Sequence, residues 1–342
     1  GDARTSGLPR LPHQPAGWYP NLLDDEARGY LESAGVLGLE TPVERLQHMN
    51  QPAYEFYLNR NPGIDLAADR LEIGVCAQHN NGGIDVDLWW RSSIAGLFPV
   101  GEAAGAHGVA RPGGAALNSA QVGATRAAQW IAAREQGAAR ADEGWQELAG
   151  DALQKARSLL EAACGREESS GVLIDDVLME STRAMSDNAG LVRSRQGLEE
   201  LARNVAEWRR RVVDECVVDP TSRRSVDRLF LVRDILDVQA VYVAAMLDHL
   251  DHGVGSRGSV LYTDPDGDLP VSWWNDGADL DVEEIFRHRL DSKAHHGVTQ
   301  RVSVDAVGEA IHAHWGPVRP IPTEDEFLEN VWKTYRVDHN IH

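Results

Sequence analysis

The sequence predicts a mixed fold, of the α+β or α/β class, in which a region of strands and helix precedes a helical region and a mixed tail. Residues Ile84–Leu88 alternate apolar and acidic side chains, as a half-buried strand does. Residues 118–136 are rich in alanine and predict a helix. Between residues 143 and 252, charges recur three or four positions apart around leucine, valine and alanine, which is typical of helices. Residues 259–342 mix strand-like and loop-like segments.

Further elements follow from caps, turn residues and apolar runs. Asn21 is predicted as the N-cap of a short helix, and Asn61-Pro62-Gly63 predicts a turn. The other predicted elements are a helix over Leu22–Ala34, helical structure within 41–60, strands over Leu71–Ala77 and Leu97–Val100, and a long helix from about Arg223 to His252.

Composition and charge exclude several classes of partner. The chain has 342 residues, which suggests about two domains, and it carries 33 Lys and Arg against 53 Asp and Glu, a net charge of −20. Such a surface repels the phosphates of nucleic acids and anionic lipids. Neither is therefore expected as a main partner, although a few local arginines can still hold a small anionic substrate.

Cysteine usage and hydropathy predict a cytoplasmic protein without a membrane span. The three cysteines fit no zinc spacing, and their odd number argues against a disulfide framework. The most apolar stretch, Val238–Leu250, is too short and too polar to cross a bilayer. The chain begins at Gly1 without a signal-peptide pattern or an initiator Met. We therefore expect a fragment or a processed product.

The strongest chemical signal lies in residues 76–128. A strand ending in Gly101-Glu102 would offer a carboxylate that accepts hydrogen bonds from vicinal hydroxyls, as on a ribityl or ribose chain. Glycines around it allow close backbone approach to a flat ligand. A helix opening at Asn118-Ser119 would direct free N–H groups and a positive dipole end at an anionic or electron-accepting atom. A glycine-rich turn between strand and helix in any α/β protein remains the alternative.

The order of these segments resembles the second flavin-binding segment of the fumarate reductase/succinate dehydrogenase flavoprotein family. The matching motifs are Gln78-His-Asn-Asn-Gly-Gly-Ile84, Gly96-Leu-Phe-Pro-Val-Gly-Glu102, His107-Gly-Val-Ala-Arg-Pro-Gly-Gly114 and Asn118-Ser119. Further along the chain, Met185–Arg193 is similar to a helical segment beyond the flavin domain, and Ser256-Arg-Gly-Ser259 to a Ser-Arg-Gly-Ala turn. The resemblance covers roughly residues 60–265 and identifies the chain with the C-terminal half of such an FAD-dependent oxidoreductase.

The resemblance also implies a domain organisation. Residues 1–70 would be the end of a cap domain, and residues 71–140 the second part of a Rossmann-like FAD-binding domain. Residues 141–258 would form a helical C-terminal domain, and residues 259–342 a mixed C-terminal extension.

The cofactor implied by the resemblance is FAD. Glu102 would bind hydroxyls of the FAD chain, while Asn118 and Ser119 would face the pyrimidine side of the isoalloxazine. The helix end would stabilise negative charge on reduced flavin. The remaining residues of the implied cofactor site are Gln78, Gly82, Gly83, Gly101, Gly113 and Gly114.

The implied substrate residues are Arg111, His79 and Arg45. The Arg111 guanidinium would make two parallel hydrogen bonds to a substrate carboxylate. The alternative is a structural ion pair with a nearby acid. The family pattern places its histidine where this chain has Gln78, and one step along an extended strand reverses the face of the side chain. Gln78 on the flavin and His79 on the substrate therefore stay alternatives. Arg45 is the nearest counterpart of the proton-delivering cap arginine, or else a solvated helix arginine.

The sequence departs from the family in its first part. Residues 1–70 contain no strand, Gly-x-Gly-x-x-Gly turn and helix, the unit that binds pyrophosphate and adenosine. The match at Gly253–Gly258 follows a long helix and predicts a helix C-cap and loop. The ADP-binding half is therefore expected from an N-terminal region or a separate subunit.

Two functions follow from these observations. The first is hydride transfer between flavin N5 and a small, carboxylate-bearing substrate under a cap that excludes water, with an electron-transfer partner as a further candidate. The second is a non-catalytic structural or complex-forming subunit derived from the same fold. No metal site is expected, because no Cys or carboxylate is spaced to complete a set with His312 and His314.

Overall fold

The computed structural model describes residues 23–69, 79–108, 114–134, 144–166, 171–219, 221–258, 260–270, 282–305 and 310–318, with a few residues between 323 and 337. The chain divides into two compact units, Gly1–Gln78 and His79–His342. The predicted strand Leu71–Ala77 lies outside the described residues.

The first unit contains helices α1 (Asp25–Ser33) and α2 (Pro42–Arg60). The predicted N-cap Asn21 is wrong, because the side chain of Asp24 accepts the hydrogen bond from the backbone N–H of Ala27, at 2.7 Å. Helix α2 confirms the helical structure expected within 41–60, and Thr41 and Glu44 close a capping box at its start. The turn that follows is confirmed, with Gly63 at a φ of +97°.

The two strands predicted between residues 84 and 100 are wrong. Ile84 makes a single parallel bridge to Ala104, and the residues that follow fold back locally instead. The carboxylate of Asp87 accepts hydrogen bonds from the backbone N–H groups of Trp89, at 2.8 Å, and Arg91, at 3.0 Å. The acidic residues of this alternating stretch thus favour a turn. An aspartate carboxylate can accept a hydrogen bond from the backbone N–H two residues later, in place of a bond to a neighbouring strand.

Helix α3 (Ala115–Arg134) confirms the predicted alanine-rich helix but begins at Ala115 rather than Asn118. Its small residues let the preceding segment approach closely. The Trp90 indole lies on Gly123, where an added Cβ would be 2.5 Å from Nε1. The composition that predicts the helix therefore also sets how tightly this segment packs against it.

The helical region consists of α4 (Trp145–Cys164), α5 (Ile174–Ala189), α6 (Arg195–Asp214) and α7 (Arg223–Asp251), and α7 confirms the long predicted helix. Apolar residues three or four positions apart form its core, since they share one face of each helix. Among the core residues with 0% exposure are Val177, Leu198, Leu201, Val212, Leu229, Val232 and Leu236.

Short parallel strand pairs join the helices. Strand β1 (Val172–Leu173) pairs with β3 (Cys216–Val217), and β2 (Val192–Arg193) with β4 (Leu261–Asp268). Burial raises the pKa of the Cys216 thiol to about 11, so this cysteine stays protonated and acts as a small core residue.

The tail adds an antiparallel hairpin of β5 (Val298–Val304) and β6 (Ile311–Pro317). It rests on the last turns of α7, where the Trp315 indole donates to the carboxylate of Asp248 at 2.7 Å and the Gln300 amide donates to the same oxygen at 2.6 Å. None of the helices in the described ranges is both long and apolar enough to cross a bilayer.

Candidate functional site

The predicted cofactor residue Glu102 lies in a 3-10 turn, Gly101–Ala103, and not at the end of a strand. Gly101 begins this turn at a φ of +65°, a left-handed conformation that glycine adopts without strain. The Glu102 carboxylate is exposed and accepts a hydrogen bond of 2.7 Å from the backbone N–H of Asn80. That bond ties the turn to the loop that carries the paired glycines.

The loop and the turn also touch directly through their backbones. Ile84 donates to the carbonyl of Ala103 at 2.9 Å, and Gly105 donates to the carbonyl of Ile84 at 3.0 Å. A Cβ on Gly83 would stand 2.5 Å from the Ala103 oxygen, so this position accepts glycine alone without a shift of backbone. Gly82 differs, because a Cβ there would have nothing within 4 Å.

Helix α3 lies against the turn. A Cβ on Gly101 would be 3.7 Å from the Cβ of Ala120, and this places the Gly-Glu turn beside the second turn of the helix. Since the helix begins at Ala115, its free N–H groups belong to residues 114–117 and not to Asn118 and Ser119. Asn118 is exposed, Ser119 is half-buried, and a Cβ on Gly114 would meet open space.

His79 lies beside a second histidine that the sequence reasoning did not single out as a site residue. The rings of His79 and His107 are 5.1 Å apart between centroids, at an interplanar angle of 76°. His79 Nδ1 is buried and has no hydrogen-bond partner among the described residues. The signal for His107 was its place at the head of the His-Gly motif.

The remaining predicted site residues lie outside the described residues or in the first unit. Gln78, Arg111 and Gly113 lie outside the described residues. Arg45 belongs to the first unit, where its guanidinium donates to the carbonyl of Leu39 at 2.7 Å. That contact holds the Arg45 guanidinium near the start of α2.

Arginine side chains stacked on tryptophan rings hold the segment that precedes the Gly101–Ala103 turn against helix α3. Arg126 lies over the ring of Trp89, and Arg91 over that of Trp130, each at 4.1 Å from the centroid. Arg126 also donates to the Leu88 carbonyl at 2.7 Å. Burial raises the pKa of the Asp87 carboxyl, but the bonds from the Arg91 and Trp89 backbone and the Arg91 guanidinium outweigh it, so the pKa is lowered.

A cleft of about 530 Å³ lies between α5 and β4, and none of the predicted site residues lines it. Its acidic residues are paired, Asp187 with Arg183, Asp264 with Arg289 and Glu284 with Arg287. In the described parts of the chain, no group of His, Cys, Asp and Glu is arranged to hold a metal ion.

Two curated proteins match short segments of the chain, while no protein-family model matches it. Over 66 residues it is 39% identical to a subunit of the fumarate reductase (CoM/CoB) of Methanothermobacter marburgensis, a match of 19% of this chain and 12% of that protein. Over 86 residues it is 36% identical to the L-aspartate oxidase of Pyrococcus furiosus, a match of 25% of this chain and 18% of that protein. Both relatives are oxidoreductases by name.

Solved structures share the fold over most of the chain. The FrdA protein of E. coli quinol fumarate reductase, in a variant form, superimposes with a TM-score of 0.60 at 19% identity, over 82% of this chain and 44% of that one. The Mycobacterium smegmatis Sdh1 complex in the apo form gives a TM-score of 0.55 at 20% identity, over 94% of this chain and 52% of that one.

Over most of its length the chain has the mixed α and β fold of these solved chains. The chain resembles, in its matched segments and its fold, a partial member of the fumarate reductase/succinate dehydrogenase flavoprotein family. It spans about half the length of its structural neighbours, and the matched segments span less than a fifth of the curated relatives.

Proposed function

We propose that the chain is the second half of an FAD-dependent oxidoreductase that acts on a small, carboxylate-bearing substrate. The observation that carries the proposal is the joint arrangement of three segments. The Gly101–Ala103 turn lies against helix α3, and the Glu102 carboxylate binds the backbone of the glycine loop at Asn80. These are the segments in which the family resemblance resides.

The residues present fit an FAD chain. The exposed Glu102 carboxylate is the acceptor that vicinal hydroxyls require, and only one hydrogen bond occupies it among the described residues. Open space beside Gly82 and Gly114 leaves room for a flat ligand to approach the backbone. The free N–H groups at the start of α3 belong to residues 114–117, and these would face the electron-rich edge of the ring in place of Asn118 and Ser119.

Bound flavin would supply a two-electron carrier that accepts or donates hydride at N5. The chain's own contribution would be to position the substrate and the ring. The Arg111 guanidinium would hold a substrate carboxylate by two parallel hydrogen bonds. His79, whose buried Nδ1 has no partner among the described residues, would donate to or accept from a polar atom of the substrate.

The pyrophosphate and adenosine would be bound by a different segment, either N-terminal to this one in a longer protein or on a separate subunit. The first unit does not carry the Gly-x-Gly-x-x-Gly pattern that such a site needs. Catalysis in this proposal therefore requires both halves together.

The test is flavin retention by the assembled protein. The region encoded upstream should contain a strand, a Gly-x-Gly-x-x-Gly turn and a helix, and co-expression with it should give yellow protein. Glu102→Ala should then lower the ratio of flavin to protein, while Glu147→Ala on α4, a matched change of an exposed glutamate, should not. A colourless complex that stays free of flavin when FAD is added would instead favour the non-catalytic subunit.

A further inference from the structure

The hairpin of β5 and β6 presents its two faces to different parts of the molecule. Successive side chains of a strand point to opposite faces of the sheet, so Gln300 and Arg301 point in opposite directions. In the antiparallel register, Trp315 lies directly opposite Gln300, and His314 lies opposite Arg301. Since residues directly opposite one another share a face, Gln300 and Trp315 belong to one face of the hairpin and Arg301 to the other.

The face with Gln300 and Trp315 rests on the helical region. Both side chains donate to the carboxylate of Asp248 near the end of α7, and the Gln300 amide also donates to the carbonyl of Ala245 at 3.0 Å. Helix α7 in turn supplies several of the buried residues of the core. This face of the hairpin is therefore attached to a part of the molecule that many buried contacts stabilise.

The opposite face reaches the glycine loop, residues 79–85. The Arg301 guanidinium binds the carboxylate of Asp85, with 2.8 Å between Nε and Oδ2. Asp85 directly follows Ile84, whose backbone N–H and C=O are the groups bonded to Ala103 and Gly105. Arg301 also lines a cleft of about 490 Å³ whose other lining residues belong to the 86–91 segment and to α3. The hairpin thus meets the loop at the point where the loop is joined to the Gly101–Ala103 turn.

We propose that Arg301 is a positioning residue for the glycine loop, because its ion pair with Asp85 links the loop to the tail hairpin and, through the hairpin, to α7. The inference rests on the proposed function, in which this loop passes beside the flavin, and it gives the C-terminal hairpin a role in that site. An ordered loop loses less conformational entropy when a ligand binds, so the link would slow the release of flavin. Arg301 itself would touch neither flavin nor substrate.

The exposure of the pair sets the size of the expected effect. The side chains of Arg301 and Asp85 are 49% and 59% exposed. Ion pairs at this exposure shift an equilibrium by about two- to fivefold. Salt screens them, so the effect should also decrease as the ionic strength rises.

The first test is hydrogen exchange of the backbone amides of the glycine loop in the chain alone, measured by mass spectrometry. Arg301→Ala and Asp85→Ala should each speed exchange in residues 79–85 by about two- to fivefold, because the loop opens more often without the pair. The double variant Asp85→Arg with Arg301→Asp should restore slow exchange, since it re-forms the pair with the charges reversed. Arg195→Ala is the matched control and should leave the loop unchanged, because Arg195 is also 49% exposed and pairs with Asp251 at the same 2.8 Å, between α6 and the end of α7.

The second test is the rate at which FAD dissociates from the assembled protein, measured by flavin fluorescence. Both single substitutions should speed release by about two- to fivefold, and the double variant should return to the wild-type rate. In about 1 M salt the wild type and Arg301→Ala should release FAD at the same rate, because the pair is screened. Arg195→Ala should match the wild type at both salt concentrations.

Circular dichroism and thermal unfolding establish that each variant is folded, and Arg301→Gln takes the place of Arg301→Ala if the latter does not fold. Unchanged loop exchange in the single variants overturns the proposal, as does a double variant that behaves like the single ones. Faster exchange with unchanged FAD release, in an assembly that holds flavin, gives the pair a structural role only and also overturns it. Faster exchange that the double variant reverses, in an assembly that never holds flavin, supports the positioning of the loop while contradicting the proposed function.

Discussion

The backbone N–H of Asn80 donates to the carboxylate of Glu102 at 2.7 Å, across 22 residues of sequence. This bond joins the glycine loop to the turn that the family resemblance assigns to the flavin hydroxyls. Because the same loop also packs backbone against backbone on residues 103–105, its conformation is set by the protein before any ligand arrives. In the proposed function, this order would lower the entropic cost of binding a ligand.

The two adjacent glycines of this loop should respond differently to alanine. Gly83→Ala forces a Cβ to within 2.5 Å of a backbone oxygen, whereas a Cβ at Gly82 has nothing within 4 Å. We expect Gly83→Ala to destabilise the fold by about 1–3 kcal/mol, the usual cost of overpacking, and Gly82→Ala to change stability by much less. Urea denaturation of both variants measures the difference. Equal stability of the two would contradict the close backbone contact described above.

Acid should weaken the junction between α7 and the tail. Burial, followed by the positive charges of Arg257 and Arg193, lowers the pKa of His249 to about 4, against an ordinary value of 6.5, while Asp248 acts in the opposite direction. His249 is therefore neutral in the folded state, and the unfolded chain binds more protons between these two pH values. Stability should accordingly fall as pH drops from about 6.5 towards 4.

The free energy of unfolding should fall by about 2 kcal/mol or less, because part of the His249 ring is open to solvent that screens its charge. Denaturation at pH 7 and pH 5 measures it. His249→Phe should flatten the dependence on pH, and His296→Gln, at an exposed position, serves as the control. A slope that is unchanged in His249→Phe would remove His249 as the cause of the pH dependence.

Substitution of Arg111 should affect substrate turnover and not flavin binding in the assembled protein. If its guanidinium forks onto a substrate carboxylate, Arg111→Ala should abolish turnover and leave the bound flavin in place. Arg111→Lys should restore little of the turnover, because the lysine ammonium cannot make the two parallel hydrogen bonds. Steady-state turnover and the flavin spectrum together test this. Normal turnover in Arg111→Ala would remove this residue from the substrate site.

Sequence reasoning was most successful where the signal is local. The alanine-rich run predicts α3, the spacing within 223–252 predicts α7, and the ordered glycine motifs point to the family that the comparisons support. It failed at Ile84–Leu88, because an alternation of aspartate and apolar residues describes a turn as well as a strand. The hydrogen bonds accepted by Asp87 decide between the two, and they become visible only once the chain has folded back.

The sequence by itself determined the main helices, the mixed fold class and the resemblance to the flavoprotein family, because periodicity and ordered motifs are written in neighbouring residues. The tertiary structure decided which distant segments meet: Asn80 with Glu102, His79 with His107, and Trp90 with Gly123. It also decided that α3 begins at Ala115. These features depend on contacts between parts of the chain far apart in sequence, and no local pattern records such contacts.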